Sequence, residues 1–377
     1  MSKGEILSAP GPSAAGDALI FKPSPDLPAP ATSVGVIGWL RANLFNGWLN
    51  SVLTVMALAF LWKIIPPFIS WAVLDAIWAG GSGACAPGQD GACWAFVANK
   101  FRVLMVGLYP ADQLWRPLVC AILFVLAAGA SIFHLIDVKK VVVLWCVLPI
   151  AGFWLINGGF GLPVVDQSLW GGLTLSLGLA TIGILISLPL GILLALGRYS
   201  NVTLVKALCV GVIEPIRGVP LITILFMASV MMPLFLPVGM EVNNLLRVQI
   251  GIILFSAAYM AEVVRGGLQA IPAGQFDAAK SIGLNYWKTT ALVVLPQALR
   301  HVIPSLIGRC IALFKDTSLV IIVGLLDFLG MVKASAQDPE WLGQDAEAYV
   351  FCALIYWIIC FSMSRYGRSL ERSRQQD

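Results

Sequence analysis

Long apolar runs recur along this chain from residue 47 to near its end, many of them 18 residues or more. A helix of about 20 apolar residues spans the roughly 30 Å hydrocarbon core of a bilayer. Hydrophobic residues make up 59% of the 377 residues and charged residues only 12%, about half the charged share of a soluble domain. One soluble core could not bury so much apolar surface. The sequence therefore predicts an all-α, polytopic helical membrane protein.

About eight membrane spans are predicted, and their connecting segments indicate the orientation. The spans lie at about 47–76, 117–135, 141–161, 168–196, 204–236, 247–268, 302–330 and 348–366. With the N-terminus inside, fifteen basic residues fall in cytoplasmic segments and five outside, namely Lys100, Arg102, Arg116, Arg247 and Lys333. Lys and Arg accumulate on the cytoplasmic side of membrane proteins. Both termini are therefore predicted to be cytoplasmic, because an odd number of spans would remove the bias.

The two ends of the chain are predicted to be tails. Residues 1–46 are rich in Pro, Ala, Ser and Gly as far as about Ser33 and lack the basic start and apolar stretch of a signal peptide. We expect a disordered cytoplasmic tail there, since such a composition cannot bury a core. Residues 367–377 are predicted to form a second cytoplasmic tail.

Cys85 and Cys93 stand apart from the other cysteines, which occur singly in apolar runs. They bracket a short polar loop after the first span, on the predicted outer side. A disulfide is the favoured interpretation in an oxidising compartment, and a zinc site is the alternative. Zinc would require two more ligands, and the chain has only two histidines, His134 and His301. No metal site is predicted.

A long polar segment, residues 266–300, separates the sixth and seventh spans. It is too polar to enter the bilayer, and Pro and Gly divide it into short pieces. Pro272 suits a helix start and Gly283 a helix end, so a short cytoplasmic helix is predicted over residues 272–284. Its small residues Ala278 and Ala279 would leave a smooth face that a partner protein can approach closely.

This segment resembles the E-A-A-x-x-x-G-x9-I-x-L-P signature of ABC importer permeases. In that family the signature forms a coupling helix that docks on the ATPase. The matching residues are Asp277, Ala278, Ala279, Gly283, Leu295 and Pro296. Asp277 replaces the Glu of the signature and Val293 its Ile. The shorter side chain of Asp277 puts the reach of that carboxylate in question.

Further segments resemble the polar amino acid uptake family of ABC permeases over about residues 168–366. These are Gly171-Gly-Leu-Thr174, Glu214-Pro-Ile-Arg217-Gly-Val-Pro220, Ala261-Glu262-Val-Val-Arg265 and Lys315-Asp316-Thr317-Ser318. The resemblance implies a type I ABC importer core of five helices, residues 166–366. Residues 47–165 would be three accessory helices with a periplasmic loop. Tyr109-Pro-Ala-Asp-Gln-Leu-Trp115 and the extended opening are similar to the M-type permease of general L-amino acid transport systems.

The resemblance implies a permease subunit that moves L-amino acids across the bacterial inner membrane. Its expected partners are a homologous Q-type permease, two ABC ATPase subunits, a periplasmic amino-acid-binding protein and membrane lipid. ATP and Mg²⁺ would be bound by the ATPase subunits. This chain contains no G-x-x-x-x-G-K-[ST] sequence and no nucleophile motif. No cofactor, catalytic residue or nucleic-acid partner is predicted for it.

Six charged residues within the predicted spans lie close in sequence to a residue of opposite charge on the same span. A charged side chain in a membrane usually faces protein or water, so we expect these residues to form ion pairs. The expected pairs are Glu214 with Arg217, Glu262 with Arg265, and Lys315 with Asp316. They serve either structural pairing or substrate contact. Pro and Gly residues are expected to break span five, and broken helices present free backbone groups to ligands. The candidate substrate-cavity residues are Thr223, Ser229, Glu262, Thr317 and Ser318.

An ion-coupled secondary transporter or channel is the alternative function. Such a protein would need no coupling helix, and it would favour several acidic residues at the bilayer midplane together with internal repeats. Neither feature is clear in the sequence. A membrane enzyme is disfavoured because the two histidines lie near span ends.

Overall fold

A computed structural model describes residues 35–85, 90–133, 135–237 and 239–375. Within these ranges the chain is helical and forms no β-strand. The helices are α1 (Gly35–Asn43), α2 (Trp48–Ile69), α3 (Trp94–Val106), α4 (Trp115–Ile132), α5 (Val138–Asn157), α6 (Gly172–Tyr199), α7 (Thr203–Gly218), α8 (Leu221–Phe226), α9 (Asn244–Gln269), α10 (Ala273–Ser281), α11 (Tyr286–Lys288), α12 (Leu295–Asp316), α13 (Phe328–Ala336) and α14 (Asp345–Gln375). His134 lies outside the described residues.

The chain divides into two units, Met1–Trp71 and Ala72–Asp377. In the first unit, residues 1–34 of the predicted N-terminal tail lie outside the described residues. The expectation of disorder up to residue 46 is wrong at α1, where the Pro-rich composition has ended and Val36, Ile37 and Trp39 favour a helix. Helix α2 is mostly apolar, has no distinct polar face and has no buried residue. Such a helix is typical of a membrane span.

Six helices in the described part of the chain are long and apolar enough to cross a membrane. They are Trp48–Leu74, Ala111–Ile132, Lys139–Asn157, Gly172–Tyr199, Asn244–Gln269 and Asp345–Glu371. Thr203–Gly218 and Leu221–Phe235 would form a seventh span, but they meet at a bend of 108°. This bend lies where the sequence predicts that Gly218 and Pro220 interrupt span five. The count is close to the eight spans predicted.

The predicted span 302–330 is not one straight helix. Helix α12 ends at Asp316, a tight helical turn continues to Val323, and Gly324 takes a left-handed conformation at φ 81°. Asp327 then begins α13, where its carboxylate accepts from the N–H groups of Leu329 and Gly330. Side-chain capping of this kind is a strong helix-start signal.

The predicted C-terminal tail, residues 367–377, is also helical as far as Gln375. Helix α14 extends through it, because Arg, Leu and Glu there favour a helix.

The centre of the second unit is the pair α6 and α9, which share the most extensive contact of any two helices. Gly191 on α6 lies so close to α9 that a Cβ there would be 2.8 Å from Met260 Cβ. Gly267 on α9 similarly approaches α12, where a Cβ would be 2.7 Å from the Ala298 carbonyl oxygen. Small residues allow membrane helices to pack this closely.

Helix α3 covers one end of this bundle by packing against α6, α13 and α14. Phe96 on α3 is fully buried, and its ring meets that of Trp341 edge-on at 5.7 Å. Lys100 of α3 forms an ion pair with Asp338. A disulfide joins Cys85 to Cys93, immediately before α3. The sequence does not predict α3, since its 13 residues are too short for a span.

Candidate coupling helix and charged cluster

Helix α10 has sharply defined ends. Pro272 precedes it in an extended conformation, and Gly283 follows it at φ 79°. The N–H of Gly283 donates to the Lys280 carbonyl at 2.9 Å, and the N–H of Leu284 donates to the Ala279 carbonyl at 3.1 Å. This pair of bonds is the Schellman helix ending, which favours glycine at the left-handed position. The ends lie close to the predicted limits of 272–284.

The two signature alanines of α10, Ala278 and Ala279, differ in their exposure. Ala279 is buried, whereas Asp277 and Ala278 are exposed. A Cβ added to Gly283 would have no heavy atom within 4 Å, so the end of the helix faces open space. Beyond it, Ile282 and Trp287 are each 76% exposed. Exposed apolar side chains around a short helix are typical of a protein interface.

Leu295 and Pro296 form the first turn of α12, where proline costs no backbone hydrogen bond. Leu295 packs in the same apolar cluster that holds Phe276 of α10. Gln297 Nε2 also donates to Gln275 Oε1 at 3.0 Å, which links α12 directly to α10. The second part of the signature therefore supports the helix formed by the first.

Glu262 on α9 is the centre of a cluster of charged side chains. Its Oε1 accepts from Arg265 Nε at 2.9 Å. Its Oε2 lies 3.5 Å from one nitrogen of Arg198 and 3.5 Å from one nitrogen of Arg217. The side chains of all four residues are between 21% and 30% exposed. One partly buried carboxylate therefore joins the ends of α6, α7 and α9.

Only one of the three predicted charge pairs forms as expected, that of Glu262 with Arg265. Glu214 pairs with Arg198 at 2.6 Å rather than with Arg217, which faces Glu262. Lys315 and Asp316 form no ion pair in the described part of the structure. Adjacent residues point in different directions from a helix and do not face each other.

Tyr259 and Arg309 extend the cluster toward α12. The guanidinium carbon of Arg309 lies 4.4 Å from the centre of the Tyr259 ring, and that of Arg217 lies 5.5 Å from it. Cation–π contacts of this kind hold arginines close together despite their like charge. The sequence alone did not indicate that Tyr259, Arg309 and Arg198 belong to this cluster. The basic residue in the last turn of α6 was the available signal for Arg198.

The predicted cavity residues do not converge on one site. Thr317 is fully buried, and its hydroxyl donates to the Phe314 carbonyl at 2.8 Å. Ser318 similarly donates to the Lys315 carbonyl, and Ser229 donates to Asn244 Oδ1 at 2.6 Å. Thr223 is exposed on α8. Glu262, by contrast, is engaged by the arginines of the charged cluster.

Comparison with known proteins identifies the family. Residues 187–376 match the family described as "Binding-protein-dependent transport system inner membrane component". The Escherichia coli (strain K12) protein named inner membrane amino-acid ABC transporter permease protein YhdY is 49% identical over 351 residues, which are 92% of this chain and 95% of that protein. The chain belongs to this family of inner membrane transport components. The resemblance to ABC importer permeases is therefore confirmed, as is the all-helical membrane fold.

Two further proteins resemble the permease. The glutamate/glutamine/aspartate/asparagine transport system permease protein BztC of Rhodobacter capsulatus is 38% identical over 421 residues, covering 93% of the permease and 96% of that protein. A solved structure described as an amino acid ABC transporter with histidines is 27% identical, covers 54% of the permease and 92% of that chain, and has a TM-score of 0.48. Family membership makes the permease a multi-pass protein of the bacterial inner membrane and implies ATPase and binding-protein partners.

Proposed function

We propose that this permease moves L-amino acids across the inner membrane, driven by ATP hydrolysis on separate ATPase subunits. The observation that carries the proposal is the 49% identity to a permease named for amino-acid transport, over 95% of that protein's length. A periplasmic binding protein supplies the amino acid. The permease itself catalyses no reaction and binds no cofactor, and the ATPase subunits bind ATP and Mg²⁺.

In this proposal α10 is the ATPase-docking helix. Asp277 and Ala278 face outward, and the open end at Gly283 allows a groove to close around the helix. Ala279 and Leu295 belong to the apolar cluster that holds the helix against the permease. The exposed side chains of Ile282 and Trp287 enlarge the apolar contact. Burial of apolar surface contributes about 25 cal/mol per Å² to such an interface.

The charged cluster marks the proposed cytoplasmic end of the translocation path. Glu262 joins three helices through arginines, so its ion pairs change whenever those helices separate. Thr223 and Glu262 are the proposed substrate contacts among the candidates. Ser229 and Ser318 would take part only after their present hydrogen bonds break, and buried Thr317 supports the helix turn instead.

The second permease of the complex is proposed to be a homologous Q-type chain, with both termini of this chain in the cytoplasm. Residues 166–366 form the proposed transport core, and residues 47–165 the accessory part. The orientation rests on the distribution of Lys and Arg between the two sides. A reporter enzyme fused after Asp377 should be active only as a cytoplasmic reporter, and activity of a periplasmic reporter there would contradict this orientation.

The deciding experiment is uptake by proteoliposomes that contain the whole complex. Radiolabelled glutamate, glutamine, alanine and histidine are offered in the presence of binding protein, with ATP inside. We expect ATP-dependent accumulation of amino acids, and none when ATP is replaced by ADP. Uptake driven by an ion gradient without ATP would contradict the proposal, as would transport confined to sugars or peptides.

A further inference from the structure

A cavity of about 340 Å³ lies between the α4–α5 hairpin and the helices α6 and α9. It is separate from α10 and from the charged cluster, which lie at the other end of α9. The cavity takes residues from the first half of α4, the second half of α5, and the first parts of α6 and α9. These are the helix ends on the side of the membrane where α3 packs.

The polarity of the lining changes from one end of the cavity to the other. Gln167, Trp170 and Asn243 lie at the outer end, beyond the helices, while Phe124, Leu148 and Ile182 lie deeper. Gln249 is the polar side chain of the deeper part, and its amide donates to the Leu179 carbonyl at 3.3 Å. An apolar interior with a polar mouth matches an amphipathic ligand whose polar group stays at the membrane surface. The charged groups of a free amino acid would have no partners in the deeper part of the cavity, so this cavity does not suit a free amino acid.

The hydroxyl groups along the wall are already engaged within the protein. Tyr109 donates to the Ile156 carbonyl at 2.7 Å, Thr174 to the Met105 carbonyl at 3.0 Å, and Thr181 to the Leu177 carbonyl at 2.7 Å. These side chains therefore present carbon atoms to the cavity. A ligand there meets a hydrocarbon surface over nearly its whole length.

The length of the cavity matches one leaflet of a bilayer. Its lining on α6 runs from Gly171 to Ile182, which is about 16 Å along a helix axis. Half of the hydrocarbon core is roughly 15 Å. The cavity is also open sideways, because Leu123, Phe153 and Leu246 line it and remain 39%, 46% and 54% exposed. Its opening therefore faces the lipid tails.

The volume of the cavity indicates the size of its occupant. An apolar cavity of about 150 Å³ holds one benzene molecule, so 340 Å³ suits roughly a dozen carbon atoms. We propose that this cavity binds one acyl chain of a phospholipid from the leaflet on the α3 side, which fills the seam between the accessory hairpin and the transport core.

Photo-labelling of the whole complex in nanodiscs tests the proposal. The probe is a phosphatidylcholine with a diazirine in the middle of one acyl chain, and adducts are mapped by mass spectrometry. A Cβ on Gly178, which lines the cavity, would have no heavy atom within 4 Å, so Gly178→Leu fills the space without displacing protein. Gly152→Leu is a second filling variant, since its Cβ would meet only Cys120 Sγ at 4.0 Å. Gly129→Leu, on α4 outside the cavity, is the matched control.

We expect adducts on cavity residues of α5 and α6 in the wild type and in Gly129→Leu, and at least a fivefold loss in both filling variants. Adducts on the exposed surface of α2 should be equal in all four proteins and report equal reconstitution. Equal cavity labelling in the filling variants and the control would overturn the proposal. A photoreactive amino acid at Leu246 that captured the second permease instead of lipid would also overturn it.

Discussion

The backbone N–H of Cys93 donates a hydrogen bond to Oε1 of Glu347 at 3.0 Å, between residues 254 positions apart. Both residues are almost fully buried. Glu347 lies in the first turn of α14, where the helix dipole favours a negative charge. The disulfide loop is thereby attached to the last helix of the core, and α3 begins directly at this attachment.

Removal of the Glu347 carboxylate should weaken this attachment. Glu347→Ala leaves the buried Cys93 N–H without an acceptor, which costs about 1–3 kcal/mol. Glu347→Gln retains an acceptor oxygen and should lose less. Thermal unfolding of the purified complex, combined with amide hydrogen exchange of residues 90–106, measures both effects. Glu340→Ala, at an exposed neighbour, is the control and should match the wild type. An unchanged exchange rate in Glu347→Ala would show that the bond contributes nothing.

Gly283 should tolerate Asn better than Val. Its φ of 79° lies in the left-handed region, which Asn adopts more readily than β-branched residues. We expect Gly283→Val to lower ATPase co-purification and amino-acid uptake severalfold, and Gly283→Asn to lower them less. Gly343→Val is the matched control, because Gly343 has φ 94° and open space around it but lies before α14, away from α10. Equal loss with Val and Asn would mean that bulk, rather than backbone conformation, is limiting.

Neutralisation of Glu262 should cost more than neutralisation of Glu214. Glu262 accepts from Arg265, a hydrogen bond between charged groups worth about 1.5–3 kcal/mol, and it lies 3.5 Å from one nitrogen each of Arg198 and Arg217. Glu214 contacts Arg198 alone and is 51% exposed, so its pair is worth about 0–1 kcal/mol. Thermal unfolding of Glu262→Gln and Glu214→Gln gives the comparison. A double-mutant cycle with Arg198→Gln isolates the shared arginine. Similar losses of thermal stability in the two single variants would contradict the central position of Glu262 in the cluster.

The ion pair between α3 and Asp338 should respond to acid. The hydrogen bond from Lys100 is the main cause that holds the pKa of Asp338 below its ordinary value. Asp338 therefore binds a proton more readily in the unfolded chain than in the folded protein. The ion pair stabilises the folded protein fully above about pH 4, and this stabilisation is lost as the pH falls through the lowered pKa of Asp338. The difference in Tm between wild type and Asp338→Asn should be constant from pH 7 to pH 5 and vanish in stronger acid. Lys100→Gln should behave in the same way as Asp338→Asn, and a difference that grew in acid would contradict the assignment.

The backbone features were the most predictable from the sequence, because each depends on local chemistry. Gly218 weakens a helix and Pro220 breaks it, and the 108° bend lies between them. Gly283 has the positive φ that a glycine after a short helix indicates. The apolar runs likewise predicted most of the spans. The exception is residues 302–330, where the left-handed Gly324 and the capping residue Asp327 interrupt a region read as one apolar run.

The ion partners were less predictable, because spacing along one helix says nothing about neighbouring helices. Glu214 and Arg217 share a face of α7, yet each pairs with a residue on another helix. Tyr259 and Arg309 meet only through the packing of α9 against α12. Helix α3 was missed for a related reason. Its burial arises from contacts with α13 and α14, which follow it by more than 200 residues.

The close approach of α6 and α9 at Gly191 has a mechanical consequence. Because backbone meets backbone there, neither helix can slide or rotate without displacing the other. Only three residues, 270–272, separate the end of α9 from the start of α10. A displacement of α10 should therefore be transmitted to α9, and α6 should move together with α9 as one rigid body. Spin labels placed on α6 and α9 should keep a fixed separation throughout the ATP cycle, while their distances to α4 and α5 change.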